Sequence, residues 1–341
     1  MVSDARHPLL EGHIPLIEAS LRSTMAKASE SGLPLYRMMQ YELGWLDKDG
    51  NESPNRGDVK APSCICAEAA KSLAAEKAAY DASVAVELFA RSVEVHEQMQ
   101  SGEAGPPDHP AVWWVWGPAQ AINVGDGLHA LARLAAMRLK DGGLPIETTL
   151  ACVDVLDDLA LRYYEGQYVE LTYQERVDIT TAQYSAAVRS KHGALIGGAC
   201  ALGASVAGAD ASVVHAFNDL GISIGEAAQV QADLSSLFGR ASSTEGRLLN
   251  KSKLYPVVEV LDRGTLAEKR AVGTIYFKRV MEASDVAELR RVLEESGARE
   301  RSEIHAAELT ARAKEMVETV PLASDASSRW LRIVDEVVGT S

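Results

Sequence analysis

The sequence predicts an all-α fold, and three observations carry that prediction. Alanine dominates the chain, runs of β-branched residues are scarce, and apolar residues recur three and four positions apart over most of the 341 residues. That spacing places apolar side chains on one face of a helix, whereas a half-buried strand alternates at every second residue. The resulting order of elements leaves no room for βαβ units and a parallel sheet.

The same periodicity predicts a series of helices joined by loops rich in Gly, Pro, Asn and Asp. The clearest loops are residues 46–58, 102–110 and 239–252, where turn-forming residues interrupt the helical pattern. No internal repeat and no change in composition divides the chain, so one domain over residues 1–341 is expected. The predicted helices are 9–30, 34–43, 61–75, 79–101, 117–139, 145–163, 174–207, 210–238, 252–263, 265–277, 283–297 and 300–319.

The charge and the apolar stretches limit the partners and the location. A formal net charge of -14 without a block of basic residues argues against nucleic acid and against an anionic membrane surface. The apolar stretch 193–209 is shorter than the roughly 20 residues that a membrane span needs, and its small residues suit close helix packing. Without a signal peptide or a CxxC pair, a cytoplasmic protein with reduced thiols is expected.

A family resemblance enters with the segment AVWWVWGPAQAINVGDGLHALARLA at 111–135. Matching segments follow in order at 163–173 (YYEGQYVELTY), 190–203 (SKHGALIGGACALG), 224–239 (IGEAAQVQADLSSLFG) and 251–261 (KSKLYPVVEVL). Together they closely resemble the polyprenyl synthetase (trans-isoprenyl diphosphate synthase) family, from about residue 30 to 265. The resemblance implies the isoprenoid synthase fold, a bundle of long antiparallel helices around a central prenyl-chain cavity, usually in a homodimer.

The family holds Mg²⁺ with two aspartate-rich motifs, and this chain departs from both. Its HDDxxD element corresponds here to residues 96–101 (HEQMQS), and its QxxDDxxD element to residues 229–236 (QVQADLSS). Mg²⁺ prefers octahedral oxygen ligands and is commonly held by one or two carboxylates plus substrate phosphates. The resemblance therefore leaves Glu97 and Asp233 as ligands of one weak Mg²⁺ ion, or leaves no metal site at all.

The basic residues that hold isopentenyl diphosphate in the family are also replaced. The family's GKRxRP becomes residues 57–62 (GDVKAP), and its RRGxP becomes residues 106–110 (PPDHP). Asp58, Val59, Pro106 and Pro107 cannot form the charge-assisted bonds to phosphate that such a site needs. Ordinary chain elongation is therefore not expected.

Some polar residues still match diphosphate-binding positions of the family. Lys191, Lys253 and Gln167 are implied by the resemblance to bind one diphosphate, together with Gln229. Glu170 stands where the family prefers aspartate.

The second motif's helix also carries a candidate catalytic face. Glu226, Gln229 and Asp233 fall at i, i+3 and i+7, so they share one face of that helix. Glu97 would oppose this face from the first motif. Glu226, Asp233 and Glu97 are thus the candidate catalytic carboxylates, which would bind one metal ion or steady a carbocation.

Pocket depth follows from the positions before the first motif. In the family, bulky residues four and five positions before the first aspartate block the prenyl cavity. Here these positions hold Val93 and Ser92, so the resemblance implies room for a long prenyl chain, with Phe89 one turn below as a floor.

A plainer interpretation stays open for the polar residues of the first motif's helix. Glu94, Glu97 and Gln98 would then have no catalytic role and would be solvated or paired with other polar groups.

Three functions remain open from the sequence. The first is an enzyme that acts on a single prenyl diphosphate, such as a terpene synthase or an unusual prenyltransferase. The second is a catalytically silent subunit that pairs with an active prenyl diphosphate synthase, and the third is a carrier of prenyl lipids. Fold alone does not separate them.

Overall fold

The computed structural model describes residues 7–53, 59–239 and 248–339, and within these ranges the regular secondary structure is helical. The one β-bridge in the described ranges is an isolated antiparallel pair between Leu46 and Glu52. The all-α prediction is confirmed.

Proline marks the start of several helices. It occupies one of the first two positions of five helices, those that begin at Ile14, Pro34, Ala61, Pro118 and Tyr255, where its missing N–H costs no intrahelical bond. The helices are α1 (Ile14–Ala28), α2 (Pro34–Glu42), α3 (Ala61–Ser72), α4 (Glu76–Ser101), α5 (Val112–Trp116), α6 (Pro118–Met137), α7 (Ile146–Tyr173), α8 (Thr181–Val188), α9 (Ala194–Val206), α10 (Ala211–Phe238), α11 (Tyr255–Arg263), α12 (Leu266–Tyr276), α13 (Ala283–Glu295), α14 (Ala298–Thr319) and α15 (Ser324–Gly339).

Helix α7 is longer than predicted. It continues to Tyr173, ten residues past the predicted end, and Gly166 lies in its interior. A side chain at Gly166 would place its Cβ 2.6 Å from the backbone nitrogen of Lys191. This glycine therefore allows a neighbouring segment to approach the helix closely and does not end it.

The predicted helix 174–207 is wrong as one element. Helix α8 begins only after Thr180, which forms a capping box with Gln183: the Thr180 hydroxyl accepts from the Gln183 N–H, and the Gln183 side chain accepts from the Thr180 N–H. After α8, one π-helical turn covers Arg189–Gly193 and leads into α9. The capping residue and the π turn break what hydropathy alone shows as one continuous helix.

Two helices lie outside the predicted set. Helix α5 is a short turn formed by the tryptophan-rich segment before α6. Helix α15 buries Trp330, Ile333, Val334 and Val337 on one face. Its apolar stripe explains why this C-terminal segment is ordered as a helix.

The described chain divides into two compact units. The C-terminal unit comprises Leu161–Gly197 and the described residues from Asp219 onwards, and the N-terminal unit comprises the described residues up to Ala160 together with Gly198–Asn218. The expectation of one domain over residues 1–341 stays a prediction.

Each unit has its own apolar core. In the C-terminal unit, Val257 and Val260 of α11 pack with Ile275 of α12 and Leu289 of α13. In the N-terminal unit, α4 packs mainly against α3 and α6, and the buried, free thiols are Cys64, Cys66, Cys152 and Cys200. Burial raises the pKa of the Cys66 thiol to about 12, so this cysteine is unreactive.

Among the described residues, no helix is both long enough and apolar enough to cross a membrane.

Candidate functional site

A small cavity in the C-terminal unit brings together four of the residues predicted from the sequence. Its volume of about 20 Å³ exceeds the roughly 10–15 Å³ that one water molecule needs. Side chains from α7, α8, the π turn, α10 and the segment before α11 surround it. The lining residues are Glu170, Tyr173, Tyr184, Ala187, Val188, Lys191, His192, Gln229, Asp233 and Lys253.

Asp233 lies on α10 and accepts hydrogen bonds at both carboxylate oxygens. The Tyr184 hydroxyl and the Tyr255 N–H donate to Oδ2 at 2.6 and 2.8 Å, and the Gln229 side-chain amide donates to Oδ1 at 2.6 Å. The residue is only 1% exposed. Its charge is therefore held by protein donors in a dry environment.

Lys191 is held by the π turn. Its Nζ lies 2.5 Å from Oε2 of Glu170 on α7, and the ring of Tyr163 lies 5.8 Å away. Because the lysine is buried and the carboxylate is close, the two charges neutralise each other across the cavity wall. An incoming anion would compete with Glu170 for this ammonium group.

Lys253 differs from Lys191 in its partners. Its Nζ donates to the backbone carbonyls of Gln174 and Lys251 at 2.8 and 3.1 Å and lies 4.1 Å from the centre of the Tyr276 ring. Burial first, and then the charge of Lys251, lower the pKa of Lys253 to about 7 against an opposing effect of Glu175. The charged form of this amine is therefore much less favoured than that of an exposed lysine.

Glu226 and Gln167 do not line this cavity. Glu226 is buried on α10, where it accepts hydrogen bonds from the Ser185 hydroxyl and, at 2.8 Å, from Nη1 of Arg189. Gln167 is half-buried on α7. The predicted shared face of Glu226, Gln229 and Asp233 consists of three buried side chains, of which Gln229 and Asp233 bond to each other.

The predicted pocket-depth residues lie on α4 in the N-terminal unit. Phe89, Ser92 and Val93 are buried. The Ser92 hydroxyl donates to the carbonyl of Phe89 at 2.7 Å, and the Phe89 ring meets His129 edge-on with centroids 5.6 Å apart. Glu97 is half-buried one turn further along. The roles of these residues stay predictions.

His96, which precedes Glu97, packs against a glycine of α6. A Cβ at Gly125 would lie 2.2 Å from Nε2 of His96, and the same nitrogen lies 3.6 Å from a carboxylate oxygen of Asp126. The His96 ring therefore fits against α6 only because Gly125 has no side chain.

A buried network of charges was missed by the sequence analysis. On α4, Arg91 donates to Glu87 at 2.8 Å and lies 3.6 Å from Glu94, and it also donates to the backbone carbonyl of Glu42 at 3.4 Å. Lys60 lies 3.1 Å from Glu94. The i, i+4 and i, i+3 spacing of Glu87, Arg91 and Glu94 was a readable signal, but Glu42 and Lys60 come from distant parts of the chain.

The network shifts the protonation of its members. Burial first, and then the charges of Glu94 and Glu87, raise the pKa of Glu42 to about 8 against the opposing charges of Arg91 and Lys60. Burial alone would lower the pKa of Arg91, but the charges of Glu87, Glu94 and Glu42 raise it above its usual value. Both basic side chains are consequently engaged by carboxylates.

The donor set does not fit a Mg²⁺ ion at Asp233. Both of its oxygens already accept hydrogen bonds from protein donors, and Mg²⁺ would have to displace some of them. Within residues 7–53, 59–239 and 248–339, no group of three or more His, Cys, Asp or Glu side chains is arranged to hold a metal ion.

The sequence matches a known family model and curated relatives. The model described as polyprenyl synthetase matches residues 66–294. A geranylgeranyl diphosphate synthase of Mycobacterium tuberculosis is 29% identical over 262 residues, which cover 74% of this chain and 73% of that protein. A (2E,6E)-farnesyl diphosphate synthase of Mycobacterium bovis is 26% identical over 238 residues, covering 68% and 65%.

Solved structures agree with these matches. A polyprenyl synthetase from Streptomyces coelicolor A3(2) superposes with a TM-score of 0.86 at 26% identity, covering 97% of this chain and 99% of that one. A polyprenyl synthase from Caulobacter crescentus, complexed with calcium and isoprenyl diphosphate, has a TM-score of 0.80 at 20% identity, with 98% of each chain covered. The second likeness shows the fold alone. With its family model covering most of the chain and its helices in the same arrangement, this chain belongs to the polyprenyl synthetase family of isoprenoid biosynthesis.

Proposed function

We propose that this protein binds a single prenyl diphosphate and acts on it as a terpene synthase or an unusual prenyltransferase does, without ordinary chain elongation. The observation that carries the proposal is the convergence of Lys191 and Lys253 on one cavity of the C-terminal unit. Two ammonium groups in a desolvated site are suited to take up the charge of a departing diphosphate. Because the cavity of about 20 Å³ has room for about one water molecule, a diphosphate would have to move its lining side chains apart on binding.

Of the two lysines, Lys253 gives the stronger support for this proposal. Its amine bonds to two carbonyls, and burial lowers its pKa to about 7. A diphosphate beside it would favour the charged form and raise this pKa again, so binding and protonation would reinforce each other. Lys191 would contribute once the ligand loosens its pairing with Glu170.

The N-terminal unit supports the absence of a second diphosphate site. The described basic side chains of the network, Lys60 and Arg91, are both engaged by carboxylates. Val59 is buried and apolar, and Pro107 is exposed. Asp58, another replaced position of the first basic motif, lies outside the described residues.

The test combines ligand binding with product analysis. Purified protein is titrated calorimetrically with geranyl, farnesyl and geranylgeranyl diphosphates, and each is then incubated with and without isopentenyl diphosphate, in Mg²⁺ or in EDTA. Lys253→Met should weaken binding at least about tenfold. Lys269→Met is the matched control, because Lys269 is a lysine of the same unit that bonds to the carbonyl of Asp262, away from the cavity.

The outcomes are distinct. Diphosphate release, with products no longer than the substrate chain, supports the proposal. A product extended by an isopentenyl unit would show an ordinary elongating synthase. Equal loss of binding in both lysine variants would show that general charge, and not the cavity, holds the ligand.

A second candidate function is a catalytically silent subunit beside an active prenyl diphosphate synthase. Large apolar side chains are exposed at helical spacing on α7, including Tyr168 at 72%, and such a face favours association with another chain. The members of this face in the C-terminal unit are Leu161, Tyr164 and Tyr168. The same face would serve a homodimer under the first candidate.

Association and activity separate the two candidates. Sedimentation of the purified protein, alone and mixed with an active prenyl synthase from the same cell, gives the stoichiometry. A heteromer that changes the chain length of the active partner's product, together with no turnover by this chain alone, would replace the first proposal with the second.

A further inference from the structure

Helix α11 begins without a capping side chain of its own. Its N-cap residue, Leu254, is apolar, and no side-chain bond caps the helix from that position. The first N–H groups of a helix have no partner inside it. Since the segment Tyr255–Leu261 is buried, an N–H left without a partner here would carry a desolvation cost.

Asp233 supplies the missing acceptor from a different helix. Its Oδ2 accepts the N–H of Tyr255, the first residue of α11, at 2.8 Å. The same oxygen accepts the hydroxyl of Tyr184 on α8, and Oδ1 accepts the amide of Gln229 on α10. One carboxylate thus links three helices, and its negative charge faces the positive end of the α11 dipole.

We propose that Asp233 is a structural anchor that caps α11 and ties it to α8, and that α10 holds no divalent cation through this residue. The proposal goes beyond the function proposed above, since it stands whether or not the cavity binds a diphosphate. It also gives Asp233 a role that needs no further carboxylate at Ala232 or Ser236 of the same helix.

Substitutions at Asp233 separate an anchor from a ligand. Asp233→Ala removes both acceptor oxygens, and with them three hydrogen bonds, and should lower Tm by about 5 °C or more. Asp233→Asn should lower it much less, because Oδ1 of Asn can accept from Tyr184 and Tyr255 while the Gln229 amide turns to accept from Nδ2. Tyr184→Phe should fall between the wild type and Asp233→Ala. Glu288→Ala, an exposed acid of α13, is the control and should stay within about 1 °C.

Cation binding gives the second readout. Enhancement of water-proton relaxation by Mn²⁺ with pyrophosphate is measured on the wild type and on Asp233→Asn. We expect equal Mn²⁺ affinities within about twofold, or no protein-bound Mn²⁺ in either.

Two results would overturn the proposal that Asp233 is a structural anchor. One is a Tm of Asp233→Ala equal to that of the wild type, since the helix would then not need the carboxylate. The other is a loss of Mn²⁺ affinity of about tenfold or more in Asp233→Asn, which would make the residue a cation ligand. Neither result depends on turnover, so the test stands apart from that of the proposed function.

Discussion

Arg91 in the N-terminal unit and Lys253 in the C-terminal unit are buried cations with different partners. Arg91 and the neighbouring Lys60 each lie within 4 Å of a carboxylate. Lys253 bonds to carbonyls, lies over the Tyr276 ring and has a pKa near 7. A cation paired with carboxylates is already neutralised, as Lys191 is by Glu170, whereas a buried cation bonded to neutral groups favours an added anion. The comparison makes Arg91 a structural cation and supports the proposal that Lys253 binds a ligand.

The largest expected effect comes from removing the buried cation of the charge network. Arg91→Met removes the cation between Glu87 and Glu94, so that Glu87 loses its ion pair with Arg91 while Glu94 retains Lys60. We expect the free energy of unfolding to fall by about 3–5 kcal/mol in urea denaturation. The control is Arg22→Met in the exposed pair with Glu18, which should cost about 1 kcal/mol or less. Similar losses in both variants would contradict the distinction between a buried and an exposed pair.

A smaller effect is expected from pH. The folded pKa of Glu42 is raised to about 8 by burial and by the charge of Glu94, with Arg91, Lys60 and Glu87 also facing it. A carboxyl with a raised folded pKa stabilises the fold below its unfolded pKa, and that stability is lost as pH rises through the folded value. The free energy of unfolding should therefore fall from about pH 5 to pH 8, by at most about 1.4 kcal/mol per pH unit from this group.

Glu42→Gln isolates this contribution, because glutamine keeps the shape and does not titrate. The difference in unfolding free energy between wild type and variant, measured at pH 5, 6, 7 and 8, should change steadily across the series in favour of the variant. A difference that stays constant with pH would mean that Glu42 is ionised in the folded protein.

The smallest expected effect concerns the ion pair between Lys191 and Glu170 at the C-terminal cavity. Glu170→Gln removes the carboxylate that pairs with Lys191. We expect the affinity for pyrophosphate to rise about two- to threefold, the size of a partly exposed ion pair. Calorimetric titration measures it, and Glu165→Gln, an exposed acid of the same helix, is the control. Unchanged affinity in Glu170→Gln would show that Lys191 takes no part in binding.

The fold class was predictable because periodicity and ordered family segments agree over most of the chain. The C-terminal end of α7 and the start of α8 were less predictable from the sequence. A glycine within a helix and a glycine after one look alike in the sequence, and only the approach of Lys191 to Gly166 distinguishes them. The capping role of Thr180 is readable in principle, but it was hidden inside a long apolar pattern.

The partners of the candidate site residues could not be predicted from the sequence. Four of the predicted residues line one cavity, namely Lys191, Lys253, Gln229 and Asp233. Other predicted residues do not line it, and the roles of all of them stay predictions. The sequence could not show that Asp233 faces a helix N-terminus, because Tyr255 lies 22 positions away. Partnerships of buried polar groups depend on tertiary contacts, which local spacing does not encode.

The cap on α11 also has a consequence for the order of folding. The acceptor and the donor lie on separate helices, so the Tyr255 amide gains protection only once α10 has docked. Native-state hydrogen exchange at this one amide therefore reports assembly of the C-terminal unit, and its opening free energy should match that of cooperative unfolding instead of local fraying.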